Sequence, residues 1–272
     1  LVPTPIPPME YAEDRFSRVR QSENARIPDA FPRSAASITV PARTKARILL
    51  DNDSLTTAYL SLLFSGGQGS QITVAYAEAL YMDTAPLSKG NRDEIEGKKF
   101  VGYDDIILPD GGSDRLFTSL WWRTWRYVQL TIETKDEPLE IGDVYGTFTA
   151  YPFARATTFD APGHPQLNRM LDIGWRTARL CANETYMDCP FWEQMQYPMD
   201  TRLQALFTYV CSTDTKLARK ALQDFHDSIL PMGLVQGRAP SNPLQVISTF
   251  SLYYIFMLLE YYQRTGDLKV LK

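Results

Sequence analysis

Asp188, Glu193 and Asp200 set three carboxylates in one short stretch, 188–200, in the company of Phe191, Trp192, Tyr197 and Pro198. Cleaving a glycosidic bond needs a carboxylic acid that keeps its proton near neutrality and can hand it to the departing oxygen. Partial burial against aromatic rings disfavours the charged form, and so does each neighbouring carboxylate, so this composition moves an acid in the required direction. The residues also admit a plain reading, in which Asp188 and Asp200 cap helices and Glu193 is solvated. The residue types alone leave both readings open.

Rival chemistries find less support. His164 lies in a proline-flanked turn and His226 in a predicted helix, which does not assemble a Ser-His or Cys-His set. Cys181, Cys189 and Cys211 contain no Cys-x-x-Cys pair and have no histidine spaced to complete a zinc site, so neither a metal nor a disulfide framework is expected. The stretch 65–70, Ser-Gly-Gly-Gln-Gly-Ser, lacks the Gly-Lys-Ser/Thr ending of a phosphate loop and is followed by a predicted strand; it reads as a hairpin or loop. A formal charge of −4 gives no basic excess for nucleic acid, and no apolar run reaches the roughly 18 residues that a membrane span requires. Five Trp and fifteen Tyr suit either an aromatic core or the apolar face of a sugar ring.

The elements that must position the acids fall into two domains, as 272 residues with 44% apolar content predict. Residues 1–34, rich in proline and without a sustained period, read as a linker or peripheral segment. From there to about residue 160 short β runs alternate with turns: residues 38–40, 48–50, 59–64, 71–76, 126–134 and 144–151. Val128, Leu130 and Ile132 point one way in the clearest of them, and polar residues the other. An antiparallel β-sandwich over 35–160 is expected. After Pro165 the period becomes helical. Helices are predicted from Pro165 to about residue 182, from Pro198, from Thr213 or Asp214, and from about residue 247 to Arg264 with Gly266 ending it; residues 267–272 read as the start of a fifth. The fourth helix is apolar on most sides and expects neighbours.

The segment Met187-Asp188-Cys189-Pro190, the pair Glu193-Gln194, then Gln196-Tyr197 and Asp200-Thr201-Arg202 resemble the acidic motif that opens the catalytic domain of bacterial α-L-rhamnosidases. Residues 121–128, Trp-Trp-Arg-Thr-Trp-Arg-Tyr-Val, are similar to the Arg-Tyr strand of the β-sandwich that precedes catalysis in that family. Downstream, Pro240-Ser241-Asn242-Pro243 and Phe250-Ser251-Leu252 resemble the loop and helix that follow. Two departures stand out: Met199 occupies a position commonly held by Gly, and Phe191-Trp192 replace polar and basic residues.

The resemblance implies a β-sandwich followed by the first helices of an α/α toroid of the six-hairpin glycosidase type, with residues 161–272 as the start of the catalytic domain. It implies hydrolysis of terminal α-L-rhamnosyl residues with inversion, Glu193 as general acid, and Asp188 and Asp200 on the sugar hydroxyls. Trp192, Tyr197 and Arg238 are further candidates for the substrate pocket. No metal or organic cofactor is needed. The second carboxylate, roughly 6.5–9.5 Å from the acid in inverting enzymes, is a glutamate on a late toroid helix in the family and has no counterpart here; Glu184 and Glu260 match no family catalytic position. The expectation is therefore an amino-terminal portion of a longer hydrolase, inactive alone, whose partners are a rhamnose-containing oligosaccharide or glycoside and the remainder of the catalytic domain. The chain starts without Met or a signal peptide, so a trimmed amino end is expected, with a periplasmic or secreted location if the full gene product carries a signal. The competing expectation is a non-catalytic carbohydrate-binding or structural module derived from such an enzyme.

Overall fold

A computed structural model of the chain describes residues 3–84 and 87–271. Leu1, Val2 and Lys272, at the outer ends of the expected linker and helical segments, lie outside the described residues. The strands are β1 (Glu10–Asp14), β2 (Arg18–Glu23), β3 (Ile38–Val40), β4 (Lys45–Gly66), β5 (Gln71–Ala77), β6 (Asp83–Thr84), β7 (Leu87–Ser88), β8 (Tyr103–Ile107), β9 (Arg115–Thr118), β10 (Arg123–Glu133) and β11 (Leu139–Ala150). The helices are α1 (Pro165–Leu180), α2 (Pro198–Cys211), α3 (Lys216–Asp227) and α4 (Ser248–Thr265), followed by a 3₁₀ turn at Leu268–Leu271. Two compact units result: Tyr11–Thr149, and a helical unit that joins the residues up to Glu10 to those from Ala150 onward.

In the β unit a nine-stranded antiparallel sheet runs in the order β1-β11-β4-β10-β5-β8, with β2 and β9 also on β4 and β3 on β11; β6 and β7 pair separately. The long β4 organises it. Its residues 45–58 pair with β10 and 47–51 with β2, whereas 58–66 pair with β11 and 61–64 with β9. One strand thus changes partners along its length and serves both layers of the sandwich. The predicted alternation in β10 holds: Val128, Leu130 and Ile132 are fully buried and pack with Ile48, Leu50, Leu60, Val74 and Val144. Beyond β4 the chain turns at Gly66, Gly67 and Gly69, all at positive φ, and a Cβ at Gly67 would collide with Leu139. The glycine stretch is therefore a hairpin turn.

Two features differ from the sequence reading. The predicted runs 48–50 and 59–64 are parts of one strand, because the polar residues between them hold a bend and do not end pairing. Residues 1–34, expected as a linker or peripheral segment, carry β1 and β2 and send Phe16 and Phe31 into the β core. Both strands are mostly exposed and polar, so neither shows an apolar stripe for a pattern search to find.

The bend in β4 is held by a buried carboxylate. Pairing with β10 jumps from Thr56 to Asp51, and Asp53 sits at φ 61°. Asp51 is fully buried. It accepts hydrogen bonds from Arg126 Nε at 3.2 Å, Arg20 Nη1 at 2.7 Å, Arg18 Nη2 at 3.1 Å and the Asp53 N–H at 2.8 Å. Burial pushes the Asp51 pKa up, but the bonds from Arg126, Arg20 and Asp53 outweigh it and leave the carboxyl below its usual range.

In the helical unit Pro165 occupies the first turn of α1, and Gly266 closes α4 in the left-handed region with its N–H on Tyr262 O. Helix α3 begins at Lys216, whose N–H bonds Asp214 Oδ1 at 2.8 Å. Residues 268–271 form a 3₁₀ turn where a fifth α-helix was expected to open. The core gathers Tyr151 and Phe153, Ala205 and Tyr209 from α2, Leu217, Ala221 and Phe225 from α3, and Tyr254, Met257 and Tyr261 from α4. The opposite face of α4, with Leu252, Ile255, Phe256 and Leu259, is exposed.

Removing one partner of a buried ion pair leaves the other charge uncompensated, so Asp51→Ala is expected to destabilise the β unit by about 3–5 kcal/mol in denaturant melts. Because the folded pKa of Asp51 is lowered, its contribution is complete above the ordinary Asp value of about 3.9 and is lost as pH falls through the lower folded value. Asp51→Asn is accordingly expected to flatten the acid limb of the stability–pH curve, which thermal melts across that range measure.

Candidate functional site

The carboxylate-bearing segment joins α1 to α2 without regular secondary structure, so each buried polar group along it must find its own partner. Ala182 and Tyr186 pair as an isolated bridge, and Asp188 and Met195 close the next loop. The Asp188 N–H donates to Met195 O at 2.9 Å, and Asp188 Oδ1 accepts the Met195 N–H at 2.9 Å. Between them residues 190–193 form a turn. Gln194 takes φ 58°, its Nε2 donates to Pro190 O at 2.8 Å, and the Glu193 N–H reaches Cys189 Sγ at 3.4 Å. Phe191 is buried and meets the exposed Trp192 edge-on, ring centroids 4.8 Å apart.

This turn presents Glu193 outward as an exposed side chain. Tyr197 OH donates to Glu193 Oε2 at 2.7 Å, and the charge of Arg238 acts on the same phenol. Burial first, and then the Glu193 hydrogen bond and charge, raise the Tyr197 pKa against the opposing pull of Arg238. Tyr197 and Glu193 therefore form a hydrogen-bonded pair. Tyr197, expected as a pocket wall, has its hydroxyl committed to the carboxylate.

Asp200 lies in the first turn of α2, where no side chain caps the helix. Burial raises its pKa, a backbone hydrogen bond lowers it, and the charges of Asp188 and Glu193 raise it further. Both neighbouring carboxylates thus act on Asp200. Met199, beside Asp200, is exposed. Of the other acids considered from sequence, Glu184 is exposed and Glu260 is held in a two-oxygen ion pair by Arg202, Nε at 2.9 and 3.0 Å.

Gln196 was read only as part of the motif, yet it is the best-connected polar side chain of the segment. It is 3% exposed. Its Oε1 accepts the Tyr186 N–H at 3.2 Å, and its Nε2 donates to Asp224 Oδ2 at 2.9 Å and Ala239 O at 2.8 Å. A glutamine flanked by Met195 and Tyr197 in a stretch dense in acids was the available signal.

Residues 155–272 match the model of the bacterial alpha-L-rhamnosidase 6 hairpin glycosidase domain. No curated protein matches the chain. Among solved structures, a GH78 family rhamnosidase of Bacillus sp. GL1 superposes with a TM-score of 0.68 at 22% identity, over 83% of this chain and 22% of that one. The rhamnosidase of Klebsiella oxytoca with rhamnose bound gives 0.72 at 16% identity, over 98% of this chain and 54% of that one. The α-L-rhamnosidase of Streptomyces avermitilis complexed with L-rhamnose gives 0.63 at 18% identity, over 86% and 22%. The chain spans between about a fifth and about half of the length of these proteins, and at such identities the likeness is one of fold. The β-sandwich followed by helices is the fold of the corresponding part of those enzymes, and segment 155–272 matches the bacterial α-L-rhamnosidase six-hairpin glycosidase domain.

Proposed function

We propose that this chain supplies the proton donor and the sugar-binding aspartates of an inverting α-L-rhamnosidase, with residues 161–272 opening its catalytic domain. The observation that carries the reading is the Tyr197 hydroxyl on Glu193 Oε2 at 2.7 Å, inside the segment that matches the rhamnosidase family. Glu193 is exposed enough to meet a substrate, and it is fixed by the phenol on one side and by the turn at 190–193 on the other. Asp188 and Asp200 accept sugar hydroxyls. Trp192 offers its face to the apolar side of the ring, and Arg238 steadies Tyr197.

In the reaction Glu193 passes its proton to the glycosidic oxygen as the bond to the anomeric carbon breaks. Water attacks from the opposite face and gives its proton to a second carboxylate roughly 6.5–9.5 Å away. The Glu193 side chain is left as a carboxylate, and a phenol already aimed at Oε2 stabilises that charge without reorganising. Glu260 is tied to Arg202, so the second carboxylate is assigned to the remainder of the catalytic domain. The exposed apolar face of α4 is where we expect that remainder to pack.

The full-length gene product is expected to hydrolyse aryl α-L-rhamnosides. Glu193→Gln should lower kcat by roughly 10²–10⁴-fold with little change in KM; a variant as active as the parent would sink the assignment. The 272-residue chain alone is expected to show no turnover in the same assay.

Asp200 makes a separate prediction. Its folded pKa is raised, so its ionisation costs stability progressively as pH rises from the ordinary Asp value through the folded one, and the full cost is present at neutral pH. Asp200→Asn is expected to raise the melting temperature at neutral pH, to have less effect under acid conditions, and to abolish L-rhamnose binding in calorimetric titrations.

A further inference from the structure

The Tyr197 hydroxyl reaches the Glu193 carboxylate from an irregular segment, which has to be held against the loop that carries Arg238 and Ala239. The residue that does so is Gln196. Gln196 precedes Tyr197, and Ala239, which follows Arg238, gives its carbonyl to Gln196 Nε2 at 2.8 Å and its N–H to the Gln196 carbonyl at 3.1 Å. The second Nε2 hydrogen goes to Asp224 Oδ2 on α3 at 2.9 Å, and Oε1 accepts the Tyr186 N–H at 3.2 Å, anchoring the point where the acidic segment begins. Both donors and the acceptor of one buried carboxamide are thereby used on three separate parts of the chain. Asp224 is itself fixed by Lys220 Nζ at 2.7 Å.

We infer that Gln196 is the positioning residue of the proton donor: through its bonds to Tyr186, Asp224 and Ala239 it fixes the main chain that leads into Tyr197, and through the Tyr197 hydroxyl the direction in which Glu193 faces. The inference rests on the rhamnosidase reading and adds to it a residue that touches neither sugar nor reacting atoms. No apolar side chain of similar length can replace it without loss, since the buried Ala239 carbonyl and Tyr186 N–H would each lose a partner and the partly buried Asp224 carboxylate would keep only Lys220. Glutamate in its place would oppose a second carboxylate to Asp224 and lose a donor.

A misplaced proton donor has a signature that general loosening lacks. Substrates whose leaving group departs unaided need no acid, whereas alkoxide leaving groups depend on it fully. In the full-length protein, Gln196→Met is expected to lower kcat for an alkyl α-L-rhamnoside by about 10–100-fold, as displacements near 1 Å do. For the 2,4-dinitrophenyl glycoside the loss should stay within about 3-fold, with KM little changed for both. Glu193→Gln, run alongside, should show the same selectivity more strongly. Asp224→Ala, which removes one anchor at a less buried site and leaves folding least disturbed, should show it more weakly.

Equal losses on the two substrates for Gln196→Met and Asp224→Ala, with Glu193→Gln still selective, would overturn the positioning role and leave the rhamnosidase reading standing. If Gln196→Met does not fold, the Asp224→Ala comparison decides. Absence of selectivity in Glu193→Gln itself would remove the acid assignment and this inference together.

Discussion

A connection without helix or strand can hold an exposed carboxylate in one place only if its own buried donors and acceptors are paired, and residues 181–197 of the helical unit meet that demand. The main chain closes part of it, through Ala182 with Tyr186 and Asp188 with Met195. Side chains close the rest: Asp188 takes the Met195 N–H, Gln194 reaches Pro190, and Gln196 binds Tyr186, Asp224 and Ala239. Each such bond contributes only about 1 kcal/mol net, whereas a buried group left without a partner costs about 1–3. Satisfaction of the set is what gives the turn at 190–193 one conformation.

The same principle appears in the β unit with a charge in place of an amide. A strand as long as β4 must bend to serve two layers, and the bend exposes backbone that its neighbours do not cover. Asp51 repairs it by taking the Asp53 N–H and three arginines at one buried point. Burying a carboxylate is unfavourable unless its lone pairs are filled, and here the geometry fills them. In each unit a single buried polar side chain fixes the least regular piece of backbone.

What the sequence made legible follows from this. Elements whose position is decided by local chemistry were readable: the alternation of Val128, Leu130 and Ile132, Pro165 at the start of α1, and Gly266 at the end of α4. The acid cluster was readable because residues 188–200 carry all of it. Edge strands such as β2 were not, since their partners lie on one side only and no apolar period is imposed on them. Nor was the continuity of β4, which depends on Arg18, Arg20 and Arg126 converging from two other strands. The Tyr197–Glu193 bond is local, four residues apart, but the partners of Gln196, Asp224 and Ala239, arrive from later segments.

The central claim is that Asp188, Glu193 and Asp200 line one sugar site, and a crystal structure of the full-length protein with L-rhamnose bound tests it most directly. The account predicts ring hydroxyls on the Asp188 and Asp200 carboxylates and the Glu193 carboxyl at the anomeric oxygen. A sugar bound away from these three residues, with Glu193 turned to solvent, would contradict it.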